Sequence, residues 1–281
     1  MLKLMDLLIE GVYDKGILKA VFMAGGPGSG KSYVAKNLFG IPDSVNVSYS
    51  GLKTVNSDTE FEYFLRKFGF DTETGDWYGK GTLDLDKWPK EVWDAVGGEA
   101  DPDNPNLRTY TKHLTKMRKE GYMNGRLGMI IDGTARDVNK IAKEKKELEA
   151  IGYDCYMVFV NTTLPVAQER NKKRARRLPP KLLANSWKQV QQNIGKFNGL
   201  FGTNFMVVDN SDTLDEKAAM KKFAMLIKKG IGKFIKKPIK NPIGKQWIAN
   251  QKLLKRKGVG KNTKLNIPKG KKARKKALGY K

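Results

Sequence analysis

The octapeptide GGPGSGKS, Gly25 to Ser32, follows an apolar run and opens a helical pattern, and no other stretch limits the fold of this chain so tightly. The run from Ala20 to Ala24 reads as a buried strand and YVAKNLF after Ser32 as a helix, so the chain turns from strand to helix through four glycines. Gly25, Gly30, Lys31 and Ser32 meet the spacing GxxxxGK[ST] of a phosphate-binding loop. Crowded phosphate oxygens need backbone N–H groups close around them, which side chains would obstruct, and glycine both clears the approach and permits positive φ. On this reading Gly25, Gly26, Gly28, Ser29 and Gly30 cradle the phosphates, and Lys31 reaches the β and γ oxygens. Ser32 ligates Mg²⁺, and the helix N-terminus adds its positive dipole end. ATP and Mg²⁺ are the expected cofactors. An ordinary glycine-rich turn is the bland alternative, and the flanking strand and helix weigh against it.

Strand and helix patterns alternate along the rest of the chain. IPDSVNVSYSGLKTVNSD holds a second strand, GRLGMIIDGT a third, YDCYMVFVNT a fourth and NFMVVDNSD a fifth, with helical spacing between them. Continuously apolar strands imply burial on both faces, with ligands at their carboxyl ends. The expected fold is therefore α/β, a P-loop NTPase with a five-stranded, mainly parallel sheet, helices on both faces and a basic C-terminal tail. Residues 71–106, acidic and weakly periodic, read as an insertion, and Met1, Leu4, Met5 and Leu8 as an amphipathic helix.

The net charge of +25 is unevenly placed: from Lys228 onward there are 20 Lys or Arg and no Asp or Glu, against 34 basic and 29 acidic residues before it. A domain at 1–227 and a basic tail at 228–281 that is disordered or folds only on a partner are expected, because lysine mixed with Gly and Pro buries too little apolar surface to offset chain entropy. The tail is read either as solubilising or as attracting nucleic acid or another polyanion. No apolar run approaches a membrane span, and no membrane partner is expected. The single cysteine, Cys155, lies in an apolar stretch and suits a reducing cytoplasm. With one His (His113) and one Cys, neither a zinc site nor a Cys–His nucleophile pair is available.

Four further segments carry chemistry. In MIIDGTARD, Asp132 ends a strand where a carboxylate can hold Mg²⁺, or it caps the next helix. Gly133 stands where ATP-driven motors place a water-polarising Glu, which favours transfer to a bound acceptor. In NSDTEF, Asp58 is either a base for an acceptor hydroxyl or part of a helix cap, with Ser57 or Asp58 as the cap and Glu60 in the first turn. ERNKKRARRLPPK gathers Arg170, Arg174, Arg176 and Arg177, a solvated face or a set of guanidinium groups closing on the triphosphate. In VVDNSD, Asp209 and Asn210 occupy a loop where adenine contacts occur in similar sheets.

Together GGPGSGKS, NSDTEF, IIDGTAR and ERNKKRARRLPPK resemble the zeta-toxin-like P-loop kinases and, more distantly, the polynucleotide 5′-hydroxyl kinases, over roughly residues 17 to 225. The resemblance implies that Asp58 is the base, that Asp132, Thr134 and Arg136 line the acceptor site, and that Arg170, Arg174 and Arg177 serve the phosphates. Zeta toxins often carry Glu where Asp132 stands, and the segment 71–106 has no counterpart among their motifs. The implied activity is transfer of the γ-phosphate of ATP to a hydroxyl, on a sugar nucleotide such as UDP-N-acetylglucosamine or on a nucleic-acid 5′ end. The competing reading is a nucleic-acid-associated NTP-binding module acting through its tail. A GTPase is disfavoured, since no NKxD motif occurs.

Overall fold

The structure, a computed structural model, describes residues 12–14, 16–41, 47–67, 106–133, 135–174, 177–211 and 216–256. The expected N-terminal helix, all of the 71–106 insertion except Asn106, and residues 257–281 lie outside the described residues. Five strands form one sheet: β1 (Lys19–Ala24), β2 (Lys53–Val55), β3 (Met129–Asp132), β4 (Asp154–Asn161) and β5 (Phe205–Asp209). Their order is β2-β3-β1-β4-β5, and every pairing is parallel.

Side chains alternate across this sheet with the strand period of two. From β1, Ala20, Phe22 and Ala24 enter one cluster, while Val21 and Met23 enter the other. The first cluster is covered by α4 (Val138–Ala150), α6 (Pro180–Gln192) and α7 (Ile194–Phe201), which supply Ile141, Leu148, Val190, Phe197 and Phe201. The second is covered by α1 (Lys31–Phe39) and α8 (Glu216–Leu226), through Val34, Leu38, Phe39 and Phe223. Burial on both faces accounts for the unbroken apolar runs of β1, β3 and β4, whereas the edge strand β5 leaves Val207 exposed. Three shorter-range elements complete this frame: α2 (Ser57–Lys67), α3 (Leu107–Asn124) and α5 (Leu164–Lys172).

The boundary expected at residue 227 does not hold for the described part of the chain. A π-turn (Ile227–Ile231), α9 (Gly232–Lys236) and α10 (Pro242–Arg256) follow α8. Ile231, Phe234 and Ile239 are buried, and Phe234 packs against Tyr156 of β4 with ring centres 5.0 Å apart. Those apolar residues recur between the lysines, so residues 228–256 hold structure that lysine content and Pro/Gly composition had argued against. Asp154 anchors the segment: its Oδ2 accepts from Lys240 N at 2.9 Å and its Oδ1 from Asn241 N at 3.0 Å.

Candidate active site

Parallel register assembles the site at the carboxyl edge of the sheet. Val55 pairs with Ile131 and Met23 with Asp132, so the residues leaving β2, β3 and β1 emerge side by side. Asn56 Nδ2 donates to Asp132 Oδ2 at 3.0 Å across that edge. The same Asn56 starts α2, because its Oδ1 accepts from Asp58 N at 2.8 Å. Asn56 thus supplies the cap that the sequence reading gave to Ser57 or Asp58, and Asp58 sits in the first turn of α2. Its Oδ1 accepts from Arg108 Nη1 at 2.7 Å. Arg108 belongs to the first turn of α3, a helix capped by Asn106, whose Oδ1 accepts from Thr109 N at 2.9 Å.

The loop from Gly25 to Gly30 closes tightly on its surroundings. Gly28 has φ +75°, and a Cβ there would come within 2.5 Å of the Ala167 carbonyl in α5. Gly26 lies against Trp187 of α6, whose Nε1 donates to Thr162 O at 2.8 Å. Asn210, expected near adenine, donates from Nδ2 to Ser29 O at 2.8 Å and so braces the loop itself. Lys31 begins α1 and its Nζ donates to Gly25 O at 3.0 Å. Ser32 follows it, exposed, in the first turn.

Charge is concentrated at this point. Burial draws the Lys31 ammonium below its ordinary pKa, Asp132 and Asp58 oppose that pull, and Arg174 adds to it. Burial lifts the Asp132 carboxyl above its ordinary pKa, Lys31 opposes and Asp58 reinforces the shift. Lys31, Asp132 and Asp58 therefore share one electrostatic neighbourhood. Asp132 Oδ1 is buried and has no hydrogen-bond partner among the described residues. A buried, uncommitted carboxylate oxygen in the electrostatic neighbourhood of Lys31, with the Ser32 hydroxyl in the first turn of the phosphate-loop helix, suits a hard divalent cation, and the residue types fit Mg²⁺. Among the described residues no cluster of three or more His, Cys, Asp or Glu could hold a metal alone.

The arginines divide. Arg170 Nη1 lies 3.5 Å from Ser29 O, and Arg174 is close enough to Lys31 to depress its pKa. Arg177 turns back, its Nε donating to Arg174 O at 3.2 Å. Arg136 is exposed and is held through its backbone, its carbonyl accepting from Asn193 Nδ2 at 2.8 Å. Thr134 and Arg176 lie outside the described residues. Sequence reasoning missed Arg108, Asn56 and Trp187. Asn56 alone carried a local signal, as an Asn two residues before the first turn's acid.

Residues 21–196 match the AAA_33 family model, described as an AAA domain. No curated protein matches the sequence. Among solved structures, the chain is similar to a gluconokinase from Sinorhizobium meliloti 1021, at 14% identity and TM-score 0.41, over 75% of this chain and 95% of that one. A shikimate kinase from Bacteroides thetaiotaomicron gives 11% identity and TM-score 0.41, over 75% and 97%. A chain from the PezAT chromosomal toxin-antitoxin system of Streptococcus pneumoniae gives 12% and 0.42, over 89% and 93%.

Proposed function

The chain belongs to the AAA_33 family of AAA domains, and from that premise we propose that it is an ATP-dependent phosphotransferase that moves the γ-phosphate to a hydroxyl acceptor. The observation that carries this reading is the convergence of Lys31, Asp132 and Asp58, with Asp58 held by Arg108. A hydrolase needs only a positioned water. A second carboxylate, set on its own helix and fixed by an arginine, suits a hydroxyl that must be oriented and deprotonated.

In this mechanism the backbone of Gly25, Gly26, Gly28, Ser29 and Gly30 receives the phosphates and Lys31 neutralises the β and γ oxygens. Asp58 accepts the proton of the acceptor hydroxyl. The hydroxyl oxygen forms its bond to the γ phosphorus as the bond to the bridging oxygen breaks, and ADP leaves with that electron pair. Arg170 and Arg174 stabilise charge on the migrating group, with Arg177 on the same segment. Mg²⁺, when bound, spreads charge from the phosphate oxygens, and Ser32 and Asp132 are the residues that would hold it. Asn210 serves the nucleotide by bracing Ser29. Thr134 and Arg136 belong to the acceptor side, and a sugar nucleotide or a nucleic-acid 5′-hydroxyl is the acceptor class this reading carries. Ile231, Phe234 and Ile239 enter the two core clusters and Trp247 and Ile248 pack against the first, which supports a folded unit that extends past the expected domain 1–227. A reducing, cytoplasmic setting suits the buried Cys155 thiol, whose pKa burial pushes up.

The test is transfer of labelled γ-phosphate from ATP, with Mg²⁺, to UDP-N-acetylglucosamine, nucleosides and 5′-hydroxyl DNA or RNA. Label on one acceptor class, lost in Lys31→Ala and Asp58→Asn, is the expected result. Release of inorganic phosphate alone, unchanged by Asp58→Asn, would replace this reading with an NTPase module acting through its basic C-terminal region.

A further inference from the structure

At the other end of the sheet from the phosphate loop, the C-terminal segment roofs a cavity of about 770 Å³ over the starts of β1, β4 and β5. That volume falls in the range of small-molecule sites. The six residues of β1 separate it from the loop by roughly 20 Å. It is therefore a distinct site, and it does not depend on the phosphotransferase reading.

Its charge is one-sided. Two acids line it, and both are committed. Asp154 Oδ2 takes Lys19 Nζ at 3.0 Å, besides the backbone of Lys240, and Glu149 takes Lys145 Nζ at 2.7 Å. Lys233, Lys237 and Lys240 also line the cavity, and their ammonium groups make no ion pair among the described residues. All three lysines are exposed, and together they give the cavity a positive potential that favours an anionic ligand. Lys19, 2% exposed, already feels them: burial lowers its pKa, and Lys240 and Lys237 lower it further against the pull of Asp154.

A second, independent feature points into the same space. Tyr156 is 5% exposed, yet its hydroxyl has no hydrogen-bond partner among the described residues. Gly230, within the π-turn, faces it, and a Cβ there would stand 3.2 Å from Tyr156 Oη and 3.0 Å from Met206 Sδ. The extra residue of the π-turn and the absence of a side chain at Gly230 keep the hydroxyl open to the cavity. Single π-turns inside helices concentrate at functional sites. Phe205 and Phe234 add ring faces beside these polar groups.

We propose that this cavity binds the phosphate-bearing unit of a nucleotide, with Lys233, Lys237, Lys240 and the Tyr156 hydroxyl on the phosphate and the aromatic and Met206 surface against the base or sugar. Each lysine ammonium offers a phosphate a compact point charge with three donors, the role that lysine takes in phosphate-binding loops. The unit is either a free nucleotide or one residue of a nucleic-acid strand, since both present the same phosphate and ring.

Calorimetric titration of the full chain, its phosphate loop saturated with ADP and Mg²⁺, tests this with three probes: AMP, a pentanucleotide of single-stranded DNA, and inorganic phosphate. The variants are Lys233→Ala/Lys237→Ala and Tyr156→Phe, the second of which leaves charge and packing intact. AMP or the pentanucleotide should bind the unmodified chain, about tenfold more weakly in the double variant and severalfold more weakly in Tyr156→Phe, with phosphoryl transfer unchanged. Tighter binding of the pentanucleotide identifies a strand as the source, and equal binding identifies a free nucleotide. Affinity unaltered in both variants, no binding of AMP or pentanucleotide, or inorganic phosphate binding as well as AMP would each overturn the proposal.

Discussion

Arg108 Nη1 stands 2.7 Å from Asp58 Oδ1, joining residues 50 apart in sequence, and the guanidinium carbon lies 5.0 Å from the centre of the Phe61 ring. Two elements with no local relation, the first turn of α2 and the first turn of α3, are thereby tied at the edge of the site. Asp58 is about half exposed, so the pair contributes no more than about 1 kcal/mol to stability. Its consequence lies in orientation: the ring of Phe61 and the carboxylate together hold the guanidinium, and the guanidinium sets the direction of Asp58.

Exchange of either partner should therefore leave the melting temperature nearly unchanged while altering turnover. Asp58→Asn removes the proposed proton acceptor and is expected to lower kcat by roughly 10²- to 10⁴-fold. Arg108→Gln keeps the carboxylate but removes its charged anchor, and a loss of about tenfold is expected, with Arg108→Lys recovering part of it. Steady-state phosphoryl transfer beside thermal melts of the three variants checks this. Equal activity of Arg108→Gln and the unmodified chain would remove Arg108 from the site.

Asp132 sets function against stability. Its carboxyl pKa is raised above the ordinary 3.8 by burial, even with Lys31 opposing, so the folded protein holds this proton more tightly than the unfolded chain does. The group's contribution is then most favourable below pH 3.8 and declines as pH rises through the folded value, and at neutral pH the ionised form is a net cost. Asp132→Asn keeps an oxygen for Asn56 Nδ2 and removes that charge. At pH 7 the variant should melt at the same temperature or higher, while the stabilisation conferred by ADP with Mg²⁺ and the transferase activity both fall. Differential scanning calorimetry with and without nucleotide reads both effects. A lower melting temperature in the nucleotide-free variant would mean that the attraction to Lys31 outweighs burial.

The sheet, its parallel sense and the loop were legible because each is written in adjacent residues: apolar runs of strand length, four glycines, and Lys31 at the head of a helix. Asp132 was legible for the same reason, as the last residue of MIID. Arg108 was not, because its partner lies across the segment 71–106 and no spacing rule spans such a distance. Trp187 likewise reaches the loop only through the packing of α6, within a helix whose sequence reads as ordinary amphipathic surface. The C-terminal segment misled for a different reason. Its lysines dominate the composition, yet Ile231, Phe234 and Ile239 are enough to pin it because each meets a pre-formed apolar surface.

Gly28 tests the geometry of the loop without touching a charge. Its φ of +75° is a conformation that a side chain strains, and an added Cβ would also press on the Ala167 carbonyl of α5, which is helical backbone and cannot rotate away. Gly28→Ala is expected to cost roughly 1–3 kcal/mol and to abolish measurable ADP binding, since relieving the clash moves the loop away from α5 and Arg170. Equilibrium urea unfolding and ADP titration check the two parts. An alanine variant that binds ADP normally would show the loop to be more compliant than its packing implies.

The described part of the basic segment should behave as core. Phe234 packs on Tyr156 at 5.0 Å and carries Lys19 Nζ over its ring at 4.6 Å, so Phe234→Ala leaves a cavity beside a buried lysine. A loss of about 3–5 kcal/mol is expected, or roughly 6–20 °C in melting temperature for a chain of this size. Deleting residues 228–281 should be worse, because it removes Ile231 and Ile239 as well and exposes the apolar face of β4 and β5. Such a deletion therefore cannot isolate what the charge does. Replacement of the ten Lys and Arg in residues 257–281 with Gln, at constant length, can: it alters only sequence that follows α10, and a fall in nucleic-acid affinity with unchanged phosphoryl transfer to a small acceptor would assign that charge to binding. If Phe234→Ala melts with the unmodified chain, the segment is not part of the core and the original boundary at 227 should be restored.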